Sequence, residues 1–265
     1  MRQLKLLLVA TLITTPFAAN AIPLYVATWE ANSEIFLVES TTGVASSIGF
    51  AGTQISGLDF DGGVLSGWGQ DGSLYSIDAS TGAASLIGAS GFLGVEGAAA
   101  FGPDGSLYAA DSSAAANALI RLDTATGDGT LVGAFGVFGQ DISGLAFIDE
   151  MLFGVDGLLN NLVTIDVTSG LASTVGSLGI AVGGSGGSVG GLTYSGSQLL
   201  FLDQDGIFSV NSGTGLATSL ASFDGNLAGR AIGGVASFTA VPEPTTLALL
   251  GIGLLGMGAA RRKKA

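Results

Sequence analysis

A repeat of about 43 residues runs through the middle of this 265-residue chain and constrains its fold more than any other feature. The segments Ile35 to Glu39, Leu74 to Asp78, Leu119 to Asp123, Leu162 to Asp166 and Ile207 to Asn211 each precede a Ser-Gly or Thr-Gly turn. Those turns end at Gly43, Gly82, Gly127, Gly170 and Gly215, spaced by 39, 45, 43 and 45 residues. A second apolar segment follows each turn, such as Ala84 to Ile87, so the unit reads as a hairpin with glycine where the backbone needs φ > 0. A second marker recurs out of phase: Ile55-Ser56-Gly57-Leu58, Val95-Glu96-Gly97-Ala98, Ile142-Ser143-Gly144-Leu145, Val189-Gly190-Gly191-Leu192 and Ile232-Gly233-Gly234-Val235. One further strand fits between the markers, as at Leu107 to Ala110, giving four short strands per repeat, the pattern of a β-propeller blade.

Counting strands predicts how the ring closes. The region opens on a second-strand segment, Leu24 to Ala27, and ends on a first-strand segment, Ile232 to Phe238, so one blade is shared between the two ends. The expected fold is an all-β, five-bladed β-propeller-like domain of twenty strands over residues 22–240, whose last strand completes the first sheet and removes a loose edge. A β-sandwich or an open β-solenoid is the fallback.

Composition removes several chemistries. There is no cysteine and no histidine, so disulfides, thiolate metal sites, thiol nucleophiles and the commonest general base are all excluded. No Gly-rich phosphate loop with its lysine occurs. Between Ile22 and Ala240 stand 20 acidic residues against two arginines, Arg121 and Arg230, a net charge of −18. Such a surface repels nucleic acid and anionic headgroups.

The two ends read as addresses. Met1-Arg2-Gln3-Leu4-Lys5, an apolar run from Leu6 to Ile13 and Ala19-Asn20-Ala21 form a signal peptide over residues 1–21, with the mature chain starting at Ile22. At the other end, residues 241–265 hold Pro242-Glu243-Pro244, an uncharged stretch from Thr245 to Ala260, and the basic tail Arg261-Arg262-Lys263-Lys264. As a helix that stretch reaches about 24 Å, enough to cross a membrane if the terminal cations snorkel, with the tail cytoplasmic and the acidic domain outside. Motif, apolar segment with Gly251, Gly253 and Gly256, and basic cluster resemble the PEP-CTERM sorting signal. That resemblance implies an exported protein of an exopolysaccharide-producing, biofilm-forming bacterium. Its partners would be signal peptidase and the exosortase, a membrane-embedded protease thought to cut near the Pro-Glu-Pro.

Most carboxylates have a turn-making role. Asp78, Asp123, Asp166, Glu39 and Asn211 precede the Ser/Thr-Gly turns, where a side-chain oxygen can accept backbone N–H groups. A less regular set is the candidate ligand site, because in a propeller the ends of second strands and the starts of first strands share one face. Asp111, Asp156 and Asp203 end second strands, with Thr28-Trp29 and Trp68 at the matching places; Gln54, Glu96, Asp141, Ser188 and Arg230 precede or begin the innermost strands. Carboxylates beside two exposed tryptophans suit a sugar or Ca²⁺. Asp203-Gln204-Asp205-Gly206 resembles part of a calcium loop but lacks its distal glutamate, so Ca²⁺ is a weak expectation and no other cofactor is expected. These features predict a non-enzymatic surface or matrix module that contacts exopolysaccharide or other envelope proteins. The alternatives are a glycosidase or lyase working through those acids and a purely structural envelope component.

Overall fold

The computed structural model describes residues 22–238, apart from residue 96 and residues 114–115, 137–140 and 184–188. The expected signal peptide, Pro242-Glu243-Pro244, the apolar stretch and the basic tail therefore lie outside the described residues, as do Glu96 and Ser188. No helix among the described residues is long and apolar enough to cross a membrane.

Twenty strands form five antiparallel four-stranded sheets. In chain order, β1 (Pro23–Thr28), β2 (Glu34–Glu39) and β3 (Ala45–Phe50) begin the first blade. The second holds β4 (Ile55–Asp61), β5 (Val64–Gly69), β6 (Ser73–Ile77) and β7 (Ala84–Ala89). The third holds β8 (Ala99–Phe101), β9 (Leu107–Asp111), β10 (Ala118–Leu122) and β11 (Gly129–Ala134). The fourth holds β12 (Ile142–Ile148), β13 (Met151–Asp156), β14 (Asn161–Ile165) and β15 (Ala172–Ser177). The fifth holds β16 (Gly191–Ser195), β17 (Gln198–Asp203), β18 (Gly206–Val210) and β19 (Ala217–Ala221). Finally β20 (Ile232–Ser237) pairs with β1, Leu24 facing Ser237 and Val26 facing Val235, and completes the first blade in the order β20-β1-β2-β3. The five-bladed ring and its shared blade are those the strand count predicts.

The core lies between blades rather than within one. Alternate residues of a strand face opposite neighbours: Leu24 and Val26 pack with Leu200, Leu202 and Ile207 of the fifth blade, while Tyr25 and Ala27 pack with Ile55, Leu58 and Leu65 of the second. Five such apolar layers, one per blade junction, bury both faces of each sheet, which is why the second strands read as unbroken apolar runs.

Two glycine positions set the spacing. Around the axis, Gly57, Gly144, Gly191 and Gly234 let neighbouring inner strands touch: a Cβ on Gly144 would stand 2.7 Å from the Leu192 nitrogen, and one on Gly234 2.6 Å from that of Leu58. The strands close to leave only about 10 Å³ between them. The third blade slips by one residue, since Gly97 precedes the pairing and Ala98 occupies the matching place. At the rim, each outer strand carries a bulge opposite its third strand, extruding Ile48, Ile87, Val132, Val175 or Leu220 and raising the local twist. In four blades the following glycine then abuts the next blade's Ser/Thr-Gly turn. The fit is as tight from the turn's side: at the turn glycine Gly170 (φ 77°) a Cβ would fall 2.2 Å from the Gly133 carbonyl oxygen.

The turn acids behave as their positions predict. Asp78 accepts the amides of Ser80 and Thr81 at 2.8 and 3.0 Å, Asp166 those of Thr168 and Ser169 at 2.7 and 3.1 Å, and Asp123 and Asn211 repeat the pattern. The amides and adjoining hydroxyls hold the carboxyls of Asp78 and Asp166 below the usual range. Glu39, the longest of the set, instead accepts the Thr42 hydroxyl.

Candidate functional site

The upper-face acids are drawn into the fold by the backbone they must satisfy. Asp111, Asp156 and Asp203 end β9, β13 and β17 and are at most 2% exposed. Asp111 accepts the amides of Ser113 at 2.9 Å and Leu93 at 3.1 Å, and Asp203 those of Asp205 at 2.8 Å and Gly183 at 3.1 Å. Asp156 accepts the Leu159 amide at 2.9 Å and is also held by that of Asp141. Each clamps the loop that enters its own blade, so the carboxylates face backbone rather than solvent. Burial pushes the carboxyls of Asp156 and Asp203 up, with the accepted amides pulling the other way. The calcium-like stretch is the β17–β18 turn, and no group of three or more acidic residues among the described residues is placed to hold a metal.

The tryptophans correct the expectation of two exposed rings. Trp68 is fully buried between the second and third blades, packed with Leu74, Leu107 and Ile120. Strand register puts Gly69 and Thr28, not the tryptophans, at the position that the three aspartates hold in their own blades. Trp29 is half-buried, leaning over Gly233 of the inner strand. Beside it Arg230 works as a latch for the closing strand: it meets Glu30 at 2.7 and 2.9 Å and Glu34 at 2.7 Å, reaches Thr28, and lies 5.4 Å from the Phe36 ring centre. Glu34 is pushed up by burial, but the Ser47 hydroxyl and Arg230 outweigh it and hold its carboxyl below the usual range.

An open depression of about 470 Å³ lies instead at the opposite mouth of the axis, where the inner strands turn back. Phe60, Phe101, Phe147 and Tyr194 line it from one position of four blades, each paired with a leucine that is the first or second residue of the second strand. In the first blade Ser237 takes that position and Phe238 follows it. The rings support one another: Tyr25, Phe60 and Phe238 have centres 5.0 to 6.0 Å apart, and Tyr108 lies 5.6 Å from Phe147. The acids lining the depression are Asp59, Asp61 and Asp149, and no lysine or arginine lines it. Asp59 accepts the amides of Phe101 at 2.6 Å and Phe60 at 2.8 Å, bridging two blades as Thr193 does when it accepts the Ser237 amide at 3.1 Å. Burial lifts its carboxyl to about 7, against the pull of those amides and with a further push from Asp61. Its trace in the sequence is an aromatic residue three or four places after an inner-strand glycine, Phe60 after Gly57, Phe101 after Gly97, Phe147 after Gly144, Tyr194 after Gly191 and Phe238 after Gly234, a recurrence that the acids alone do not show.

Both ends of the described domain, Ile22 and Phe238, lie at this mouth. Ile22, the first residue after the expected signal-peptide cut, already belongs to the fold, its N–H donating to Ser40 Oγ at 3.1 Å. Phe238 lines the pocket itself, and the three residues that separate it from Pro242 span at most about 14 Å.

Residues 240–263 match the PEP-CTERM protein-sorting motif. Among curated proteins, none matches the chain in sequence. Among solved structures, a chain of the nidogen/laminin complex is similar over 82% of this chain and 98% of its own, with a TM-score of 0.53 and 13% identity. Virginiamycin B lyase from Staphylococcus aureus is similar over 72% of this chain and 67% of its own, with a TM-score of 0.44 and 16% identity. At 13% identity the likeness to the nidogen/laminin chain is one of fold alone.

Proposed function

We propose that this chain is an exported, non-enzymatic surface module that an exosortase-type protease releases or anchors, and that its propeller binds polysaccharide through the aromatic axial pocket. The observation that carries this reading is the seam between fold and motif. The strand that completes the ring ends at Ser237, and the sorting motif begins at residue 240, so a cut near Pro242-Glu243-Pro244 removes the tail without touching a ladder. The depression beside that seam has the size of a ligand pocket and the stacking surfaces that sugars use. The buried upper-face acids, whose oxygens hold backbone amides, support a structural role for that constellation. A carbohydrate-cleaving enzyme is the second reading, favoured by Asp59, whose carboxyl near 7 suits a proton donor.

In a host with an exosortase, intact-mass measurement is expected to show a chain beginning at Ile22 and lacking the segment beyond the Pro-Glu-Pro. Alanines at Pro242, Glu243 and Pro244 should leave the tail attached and the protein in the membrane. An unprocessed wild type would reduce the motif to a plain anchor. Glycan-array binding without product release supports the module, and released sugar would reverse the two readings.

A further inference from the structure

We propose that the axial pocket takes an amino-sugar unit with a free, protonated amine, rather than a neutral or acidic sugar. This rests on the reading of the domain as a polysaccharide-binding module and adds the charge of the ligand.

The pocket's volume of about 470 Å³ is in the range of small-ligand sites and has room for a pyranose unit. Its wall is aromatic on several sides, and an aromatic face attracts both the C–H face of a sugar and a cation placed over it. The charge around it has one sign. Asp59, Asp61 and Asp149 line it without a basic partner, and of the domain's two arginines Arg230 is committed to Glu30 and Glu34 at the other mouth, while Arg121 lies on β10, the third strand of its blade. Low-dielectric aromatic walls focus that negative field on whatever enters. A uronate or sulfated sugar is repelled, a neutral sugar gains stacking alone, and an ammonium group gains both terms.

Asp149 places one of these charges at the rim. It occupies the first turn position between β12 and β13 at φ 53°, where the sister turns of the second and fifth blades carry Gly62 and Gly196, each at φ 56°. Glycine is favoured there, and aspartate is among the few side chains that tolerate it, so the turn accepts a carboxylate at the rim at modest backbone cost. Asp59, tied to two amides and with its carboxyl lifted to about 7 by burial, is only partly ionised at neutral pH, so Asp61 and Asp149 carry the charge that meets the amine.

The test is calorimetry of the processed protein with glucosamine tetramers and with their N-acetylated counterparts, at low and high salt. The free-amine tetramer is expected to bind roughly tenfold more tightly, with the margin shrinking at high salt. Asp149→Asn and Asp61→Asn should each erase part of that margin while leaving the melting temperature unchanged. Asp149→Gly should raise the melting temperature and weaken binding together, a pairing that a merely structural turn residue would not give. Equal affinity for the two tetramers, or a margin untouched by the rim variants, overturns the charge assignment and leaves the polysaccharide reading standing. Absence of binding to these tetramers and to every other glycan overturns both.

Discussion

Replacing Gly170 and Gly105 separately by alanine isolates what holds the blades at their spacing. The two glycines share one backbone conformation, with φ of 77° at each, so the strain of a left-handed alanine is common to both, about 1–2 kcal/mol. Their surroundings differ. A Cβ on Gly105 meets nothing within 4 Å, whereas one on Gly170 falls 2.2 Å from the Gly133 carbonyl oxygen and 2.5 Å from its carbon. Both atoms are backbone of the neighbouring blade, so relief requires moving one blade away from the next, and overpacking of this kind typically costs a further 1–3 kcal/mol or more. At about 2–4 °C per kcal/mol for a domain of this size, Gly105→Ala should lower the melting temperature by about 2–8 °C, and Gly170→Ala by at least about 2 °C more. Thermal melts followed by circular dichroism measure the difference, with urea titration as a second readout if heating is irreversible. Equal losses for the two variants would show that the turn glycines serve only their own backbone and that the blades are not spaced by this contact.

Three further outcomes follow from the same structure. Deleting Ile232 to Phe238 removes the inner strand of the first blade and exposes the β1 edge, so the truncated domain should aggregate in size-exclusion chromatography; a monomer with an unchanged melting temperature would refute the shared-blade closure. Asp59 has a folded pKa near 7 against about 3.9 unfolded, so ionising it costs folding stability that is intact below pH 4 and lost as pH rises to 7, and Asp59→Asn should gain on wild type by a few kcal/mol between pH 4 and 8 in paired denaturant titrations; a constant difference would refute the shift. Trp68→Ala should cost about 3–5 kcal/mol, as expected of a buried aromatic, while leaving glycan affinity unchanged, and a folded variant with weakened binding would return the tryptophan to the site.

The parts of this molecule that were legible in its sequence are those set by local rules. The Asp-to-Gly turns could be read at Asp78, Asp123 and Asp166 because an aspartate two and three residues ahead of two free amides satisfies them without help from the rest of the fold. The shared blade could be read because strand phase at the two ends is a counting matter. Register was harder. Trp68 and Gly69 differ by one position, and in a strand one position is the difference between an inter-blade core and the place that clamps a loop. The variation among Trp29, Trp68, Asp111, Asp156 and Asp203 looked like a ligand site, yet at four of the five equivalent places, Thr28, Asp111, Asp156 and Asp203, the chain solves one problem in different ways. Three aspartates accept loop amides and Thr28 meets the Arg230 guanidinium. What the sequence withheld was which mouth of the ring stays open.

Closure by β20 also fixes an order of events. During synthesis and export β1 emerges early and β20 last of the strands, so through most of the crossing the first blade has no inner strand and the fifth junction has only one wall. On the proposed export route the ring therefore cannot close until its last strand has crossed, and it becomes whole only as the sorting motif follows. Completion of the fold and presentation to the protease are then one moment: a chain halted with β20 still inside the channel should be open to proteolysis throughout, and a chain halted a few residues later should resist it.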